Sequence, residues 1–365
     1  MAKMVQLRHQ GSQRRSAYTL LELLVVIAII GILAALTAGA TIQVMGYQRN
    51  SNTESNIKSL STILDRQWRA VIDQANQETI PSSVKTTLAG GSGPRARVIW
   101  KKLRLNQEFP MNFSEIFPSA AQLATLTSYG VPPKATYKAL LGQMGVTAGQ
   151  SPPQTPQTSL GVSPSTLASE SAVCLYLALQ ENRKGVGITT DDLPVGSVNS
   201  KIYVDPTSGP VMVKEIADAW GYPLAFYRWA TANTELNLLN PAAMGSTATV
   251  FRDPLDPEGL LMDSTWWSTG PAGGRALFEA QCHLVSTTPA PVTNVPGSGG
   301  PASYYMVPVI ASAGRDNMLG ILPFSIAPVL PGMPPPSDPM APDMTANSYD
   351  NIYNYRLRVG QRGDQ

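Results

Sequence analysis

The chain has 365 residues, 43% of them hydrophobic, with 27 Lys+Arg against 25 Asp+Glu and two cysteines. That length suits one large domain or two small ones. The near-neutral balance excludes the basic excess of a typical nucleic-acid binder, and two cysteines exclude a disulfide framework. One disulfide between Cys174 and Cys282 is allowed if both lie outside the cytoplasm. A histidine-based active site would rest on His283 alone, because His9 falls in the N-terminal leader.

Residues 1–17 carry Lys3, Arg8, Arg14 and Arg15 and no acid. Removing those four leaves 23 basic against 25 acidic side chains, so the positive excess belongs to the leader. The next 26 uncharged residues, Leu23 to Gln48, exceed the roughly 20 that a helix needs to cross the hydrocarbon core. The basic flank places the N-terminus in the cytoplasm and the rest on the far side. Three readings fit: a secretory signal cut after Ala38-Gly39-Ala40, a plain signal anchor, or a leader cut before the apolar run. Glu22 separates them. A carboxylate inside a membrane helix costs about 2.5–3.5 kcal/mol on insertion scales, and only the third reading gives it a task.

The stretch "RRSAYTLLELLVVIAIIGILAAL" resembles the N-terminal signature of type IV prepilins and of the pseudopilins of type II secretion systems. The resemblance implies a prepilin peptidase that cuts between Ala17 and Tyr18 and methylates the new amine. Glu22 then stands fifth in the mature chain. That family usually has Gly before the cut and Phe after it; here Ala17 and Tyr18 keep small for small and aromatic for aromatic. The resemblance also implies that Glu22 pairs with the amine of a neighbouring subunit. Such a pair is selective, because either charge left alone in an apolar bundle is costly.

The helix is expected to continue from Leu20 to about Gln77, since no proline occurs before Pro81. Ile57, Leu60, Leu64, Trp68 and Val71 recur at three- and four-residue spacing, an apolar stripe for a globular head. Residues 80–200 read as an insertion that the resemblance does not cover. Within it, Ser165–Arg183 patterns as a helix that buries Ala172, Leu175, Tyr176 and Leu179 and stops at Gly185, with Cys174 packed inside. The basic residues Arg95, Arg97, Lys101, Lys102 and Arg104, beside "VIW", read as a solvated strand face; contact with nucleic acid or a partner is the other reading.

From residue 201 strands and turns are expected. "EIADAWGYPLAFYRW" predicts a short helix to Trp220, a stop at Gly221 and an edge strand opened by Pro223. Asp218, Trp220, Gly221 and Pro223 resemble the D-x-W-G-x-P turn of the major pseudopilins. A further strand is expected at Ser303–Ala311. Beyond it Ser312, Gly314 and Asp316 resemble the start of that family's calcium loop, and Asp350, Asn351 and Ile352 its close. The resemblance thus implies calcium held by Ser312, Asp316, Asp350 and Asn351, whose oxygens are the type that calcium takes. The proline-rich "LPGMPPPSDPMAPDMT" separates the two halves, and hydrogen bonds alone are the other way to tie the loop.

No G-x-S-x-G, H-E-x-x-H, paired C-x-x-C or phosphate loop appears, and Cys282 and His283, adjacent on a strand, face opposite ways. No enzymatic activity is expected. The fold class read from the chain is α+β, a long N-terminal transmembrane and amphipathic helix packed on an antiparallel sheet. Its parts are a leader (1–17), the helix (18–79, membrane part about 20–47), the insertion (80–200) and a β-rich head (201–365). The function expected is a structural subunit of a type II secretion pseudopilus. Its implied partners are the prepilin peptidase, other pseudopilins and the inner-membrane secretion platform, with no nucleic acid. The protein would be a single-pass inner-membrane protein with its head in the periplasm or outside the cell. The alternatives are a type IV pilin or minor pilin for adhesion or DNA uptake, and a soluble secreted binding protein that begins at Thr41.

Overall fold

The computed structural model describes residues 20–146, 164–183, 192–205, 209–229, 253–262, 266, 278, 306–315 and 351–358. The chain divides into two compact units, Met1–Gln48 and Arg49–Gln365. Helix α1, Leu20–Gln77, has the bounds that its pattern predicts.

In the first unit, Leu23, Leu24, Val25, Val26 and Ile27 follow one another and are all exposed. Five consecutive positions cover every face of a helix, so no side of this segment is turned inward. Its best 18-residue window has a mean hydropathy of 2.8, and it is long and apolar enough to cross a bilayer. The hydroxyls of Thr37 and Thr41 donate to the carbonyls of Leu33 (3.0 Å) and Thr37 (2.7 Å), which satisfies them without water.

In the second unit, α1 buries the stripe. Ile57, Leu60, Leu64, Trp68 and Val71 are all buried, while Lys58, Arg66 and Asp73 are exposed. Each large apolar side chain so buried contributes about 1.5–3 kcal/mol. Three polar residues share that buried face, and each receives a different part of the chain. Thr53 Oγ1 accepts the Ala219 N–H (3.1 Å), Ser61 Oγ accepts from Asn354 Nδ2 (3.2 Å), and Gln67 Nε2 donates to the Leu179 carbonyl (2.7 Å).

Helix α2, Gly93–Glu108, follows a π-helical turn at Val84–Leu88. Ser92 caps it, with Oγ accepting the Arg95 N–H. Short helices α3 (Phe113–Ile116), α4 (Ala120–Ser128) and α5 (Ala135–Gln143) come next, then α6 (Pro164–Gln180). These helices contribute Leu103, Phe113, Tyr137 and Leu175 to the same hydrophobic core as the α1 stripe. Strands β1 (Val198–Asp205) and β2 (Gly209–Ile216) form an antiparallel hairpin. Strands β3 (Ala225–Trp229), β4 (Met306–Ser312) and β5 (Ile352–Tyr353) form a second antiparallel sheet in that order, and α7 (Asn354–Arg358) ends the described chain. Helix α6 packs on β2 and β3. Its Ser171 hydroxyl donates to the Phe226 carbonyl (2.8 Å) and accepts the Phe226 N–H (2.6 Å), which covers the edge strand. The architecture is α+β, with a long apolar N-terminal helix and small antiparallel sheets.

Two expectations are corrected here. No helix leads to Trp220: strand β2 runs to Ile216 and a turn follows. "VMVKE" alternates buried and exposed positions, the period of a strand, and Gly221 ends a turn as readily as a helix. The basic cluster is not a solvated strand face. It lies on helix α2, where Lys102 is fully buried and Arg95 nearly so. Lys102 pairs with Asp253, Lys101 donates to the Leu255 carbonyl (2.9 Å), and Arg95 donates to the Ala89 carbonyl (3.2 Å). Arg97 donates to the carbonyls of Ala75 and Glu78, both at 2.8 Å. Helix α1 has no basic residue in its last turn, so Arg97 supplies the positive charge that its C-terminus favours.

The polar centre of the second unit is Glu108. It takes Arg183 Nε at 2.9 Å and Lys134 Nζ at 2.6 Å. Arg183 also donates to Gln67 Oε1 (2.7 Å), to the Tyr137 hydroxyl (2.7 Å) and to the Glu108 carbonyl (2.7 Å), and its guanidinium lies over the Phe109 ring. Burial alone would push the Glu108 carboxyl up, but Arg183 and Lys134 overcome it and hold the group below its ordinary 4.5. Its contribution is therefore full above pH 4.5 and is lost as the pH falls through the lowered folded value. Arg183→Ala leaves the carboxylate to Lys134 and takes the donor from Gln67 Oε1 and the Tyr137 hydroxyl, so it is expected to cost about 1–3 kcal/mol in urea unfolding. A loss under about 1 kcal/mol would show that the pair is not fully desolvated. Glu108→Gln is expected to remove most of the acid-side slope.

Candidate functional site

Two regions carry the residues singled out by sequence. The first is the start of α1. Glu22 lies in the first turn of α1 and is exposed, where the positive end of the helix dipole favours a carboxylate. Ala17 and Tyr18 lie outside the described residues.

The second region is the turn between β2 and β3, and the geometry gives each motif residue a reason. Asp218 is buried. Its Oδ1 accepts the N–H groups of Trp220 (2.9 Å) and Tyr222 (2.9 Å), and its Oδ2 accepts the Ser312 hydroxyl (2.7 Å). The Asp218 N–H donates to the Tyr222 carbonyl (2.9 Å), and the Gly221 N–H donates to the Asp218 carbonyl (3.0 Å). Gly221 has φ +87°, a conformation that strains any residue with a Cβ. Pro223 bridges to Ala217, and the Leu224 N–H reaches back to the Ile216 carbonyl (2.9 Å). Trp220 packs half-buried against the core. Burial pushes the Asp218 carboxyl up, and its hydrogen bonds offset only part of this, so the group lies above its ordinary 3.8.

Ser312 therefore joins β4 to this turn, a contact that sequence reading missed because it treated the two motifs separately. Asn351 is buried, and its Nδ2 donates to the Tyr353 hydroxyl (2.9 Å). Asp316 and Asp350, the other two residues of the expected calcium set, lie outside the described residues. Among the described residues no group of three or more His, Cys, Asp or Glu side chains is placed to hold a metal. Cys174 is a free and fully buried thiol, pushed well up by burial; Cys282 and His283 lie outside the described residues.

Sequence reading also missed the buried pair of Arg228 on β3 with Glu115 on α3. A lone charge within an apolar strand, "LAFYRW", was the available signal. A crevice near Glu115, Lys134 and Tyr137 encloses about 40 Å³, room for a few waters and not for a ligand.

Residues 12–38 match the prokaryotic N-terminal methylation motif. No curated protein and no solved structure matches the chain. The matched stretch takes in the leader's Arg14 and Arg15, then Ala17, Tyr18 and Glu22, and most of the apolar run. The N-terminal segment is thus type IV prepilin-like and fits a membrane-anchored protein. The motif implies processing by a prepilin peptidase and assembly into a pilus-like fibre.

Asp218→Ala is expected to destabilise the fold by about 2–4 kcal/mol in thermal unfolding, because three donors lose their acceptor. Asp218→Asn retains an acceptor for the two backbone N–H groups and is expected to cost far less. The pH dependence runs opposite to that of Glu108. A raised carboxyl favours the protonated folded state, so the wild-type contribution falls as pH climbs from 3.8 to the raised value. Asp218→Asn is expected to remove that fall.

Proposed function

We propose that this protein is a fibre subunit of a type II secretion pseudopilus. A prepilin peptidase cuts between Ala17 and Tyr18 and methylates the Tyr18 amine. The subunit then waits in the inner membrane, with its N-terminus at the cytoplasmic face and its head in the periplasm or beyond. Other pseudopilins and the inner-membrane platform draw it into a short fibre through its N-terminal helix. Glu22 sets the register by pairing with the Tyr18 amine of a neighbour. The role is structural and needs no enzymatic chemistry.

The observation that carries this reading is a carboxylate in the first turn of a lipid-compatible helix, inside a matched prepilin motif. Helix α1 also runs unbroken through Ala38-Gly39-Ala40, so cutting after Ala40 would divide one element; this weighs against the soluble secreted reading. The turn at Asp218, Trp220, Gly221 and Pro223 favours a pseudopilin over a surface pilin. The burial of Arg95 and Lys102 weighs against the DNA-uptake reading, whose contact those residues were to supply.

Calcium is a separate matter. Ser312 already gives its hydroxyl proton to Asp218, which supports a loop tied by hydrogen bonds. The expected result is an unchanged melting temperature with chelator or added calcium; a rise with calcium would restore the metal set of Ser312, Asp316, Asp350 and Asn351.

Mass spectrometry of the mature protein tests the main reading. A chain that begins at N-methylated Tyr18 is expected. A chain that begins at Thr41, or at Met1 with the leader intact, overturns it. Glu22→Ala is expected to leave membrane insertion intact and to abolish fibre incorporation, read by shearing and fractionation.

A further inference from the structure

An open groove of about 600 Å³ runs between α1, β1 and the β2–β3 turn, within the ~300–1,000 Å³ range of small-ligand sites. Asn52, Ser55 and Asn56 line it from one face of α1, Asn199 lines it from β1, and Asp218 and Trp220 line it from the turn. The three carboxamides and the Ser55 hydroxyl have no hydrogen-bond partner among the described residues. They are spaced i, i+3 and i+4 on the helix, so all three α1 side chains project to one side. A Cβ built at Gly221 would lie 3.7 Å from Asn199 Nδ2, which places the Asn199 amide against the turn.

We propose that this groove binds a neutral oligosaccharide. Each carboxamide offers two donors and an acceptor, and the serine offers one of each kind. That is the complement of a row of sugar hydroxyls, which both give and take protons. Trp220 lines the same groove, and an aromatic body with a polar edge suits a sugar ring, which is apolar on its faces and polar at its rim. The charges argue against other ligand classes. No basic side chain lines the groove, so a phosphate or a nucleic acid finds no counter-charge there. The carboxylate of Asp218 is already taken up by Trp220, Tyr222 and Ser312, which leaves it few lone pairs for a cation. An extended peptide fits less well, because the lining is side-chain amides and not a free strand edge. The proposal does not depend on the fibre reading; the groove lies wholly within the second unit.

The test uses the full-length protein in lipid nanodiscs, free of sugar-based detergent, titrated with chitotetraose and with maltotetraose. Binding is read by saturation-transfer NMR and by tryptophan fluorescence. Saturable binding of at least one, with Kd about 1 mM or tighter, is the expected result. Asn56→Ala and Asn199→Ala are each expected to weaken it about tenfold. Their melting temperatures should stay close to the parent's, because both side chains are part-exposed and Asn199 only abuts the Gly221 turn, and Ile202→Ala, on the exposed hairpin face, should bind as the parent does. Three outcomes overturn the proposal: no saturation by either sugar at about ten times that concentration, binding that survives both asparagine variants, or efficient cross-linking of Asn56→Cys to a second copy, which makes the groove a subunit contact. Processing at Tyr18 can succeed or fail without altering any of these results.

Discussion

A charge buried without a partner costs several kcal/mol, and the second unit of this protein buries several. Lys102, Arg183 and Arg228 are each nearly or wholly removed from water, and each meets one carboxylate: Asp253, Glu108 and Glu115. Replacing such pairs with apolar side chains is often neutral or stabilising, whereas removing one member is severe. The pairs therefore add little net stability while forbidding every arrangement that separates them. Each joins positions far apart in the chain: 151 residues for Lys102 and Asp253, 75 for Arg183 and Glu108, 113 for Arg228 and Glu115. What they specify is which distant segments lie together.

Helix α1 is placed by the same logic. An apolar stripe alone fixes which face turns inward but leaves sliding along the axis cheap. Gln67 removes that freedom, since its carboxamide spans Arg183 and the Leu179 carbonyl at once. Thr53 and Ser61 do so for the β2–β3 turn and for Asn354. A slip by one helical position would bury all three polar groups without partners, at about 1–3 kcal/mol each. The end of α1 is held as well, by a guanidinium from α2 on the carbonyls of Ala75 and Glu78.

The sequence was legible where the physics is local. Leu20 and Gln77 bound α1 because one uncharged run and one periodic stripe join without a proline, and every residue named for the stripe is buried. The packed environment of Cys174 and the edge position of β3 were local too. Long-range pairing was not legible. Arg95 and Lys102 look like surface charges when read beside their neighbours, because Leu260 and Trp266 on one side and Asp253 on the other are brought to them only by the fold. The Asp218 motif was recognised as a unit, yet its third ligand, Ser312, comes from a strand 94 residues away. The helix expected before Gly221 failed because a left-handed glycine ends strands, turns and helices alike.

Asp218 and Glu108 show two ways to keep a carboxylate inside. Glu108 is met by cations, and its acidity increases; Asp218 is met only by N–H and O–H dipoles, and its acidity decreases. Dipoles can satisfy an amide as well as an acid, so the charge at Asp218 is incidental to its role. An amide can accept a cation's hydrogen bond but cannot neutralise its buried charge, so the charge at Glu108 is the role. Glu22 belongs with the second kind on the proposed reading. In a segment compatible with lipid, hydrogen bonding alone would be met by serine or glutamine at lower insertion cost. A full negative charge in that position is worth its cost only where a full positive charge is delivered to it, and on the proposed reading cleavage before Tyr18 would create one on every subunit.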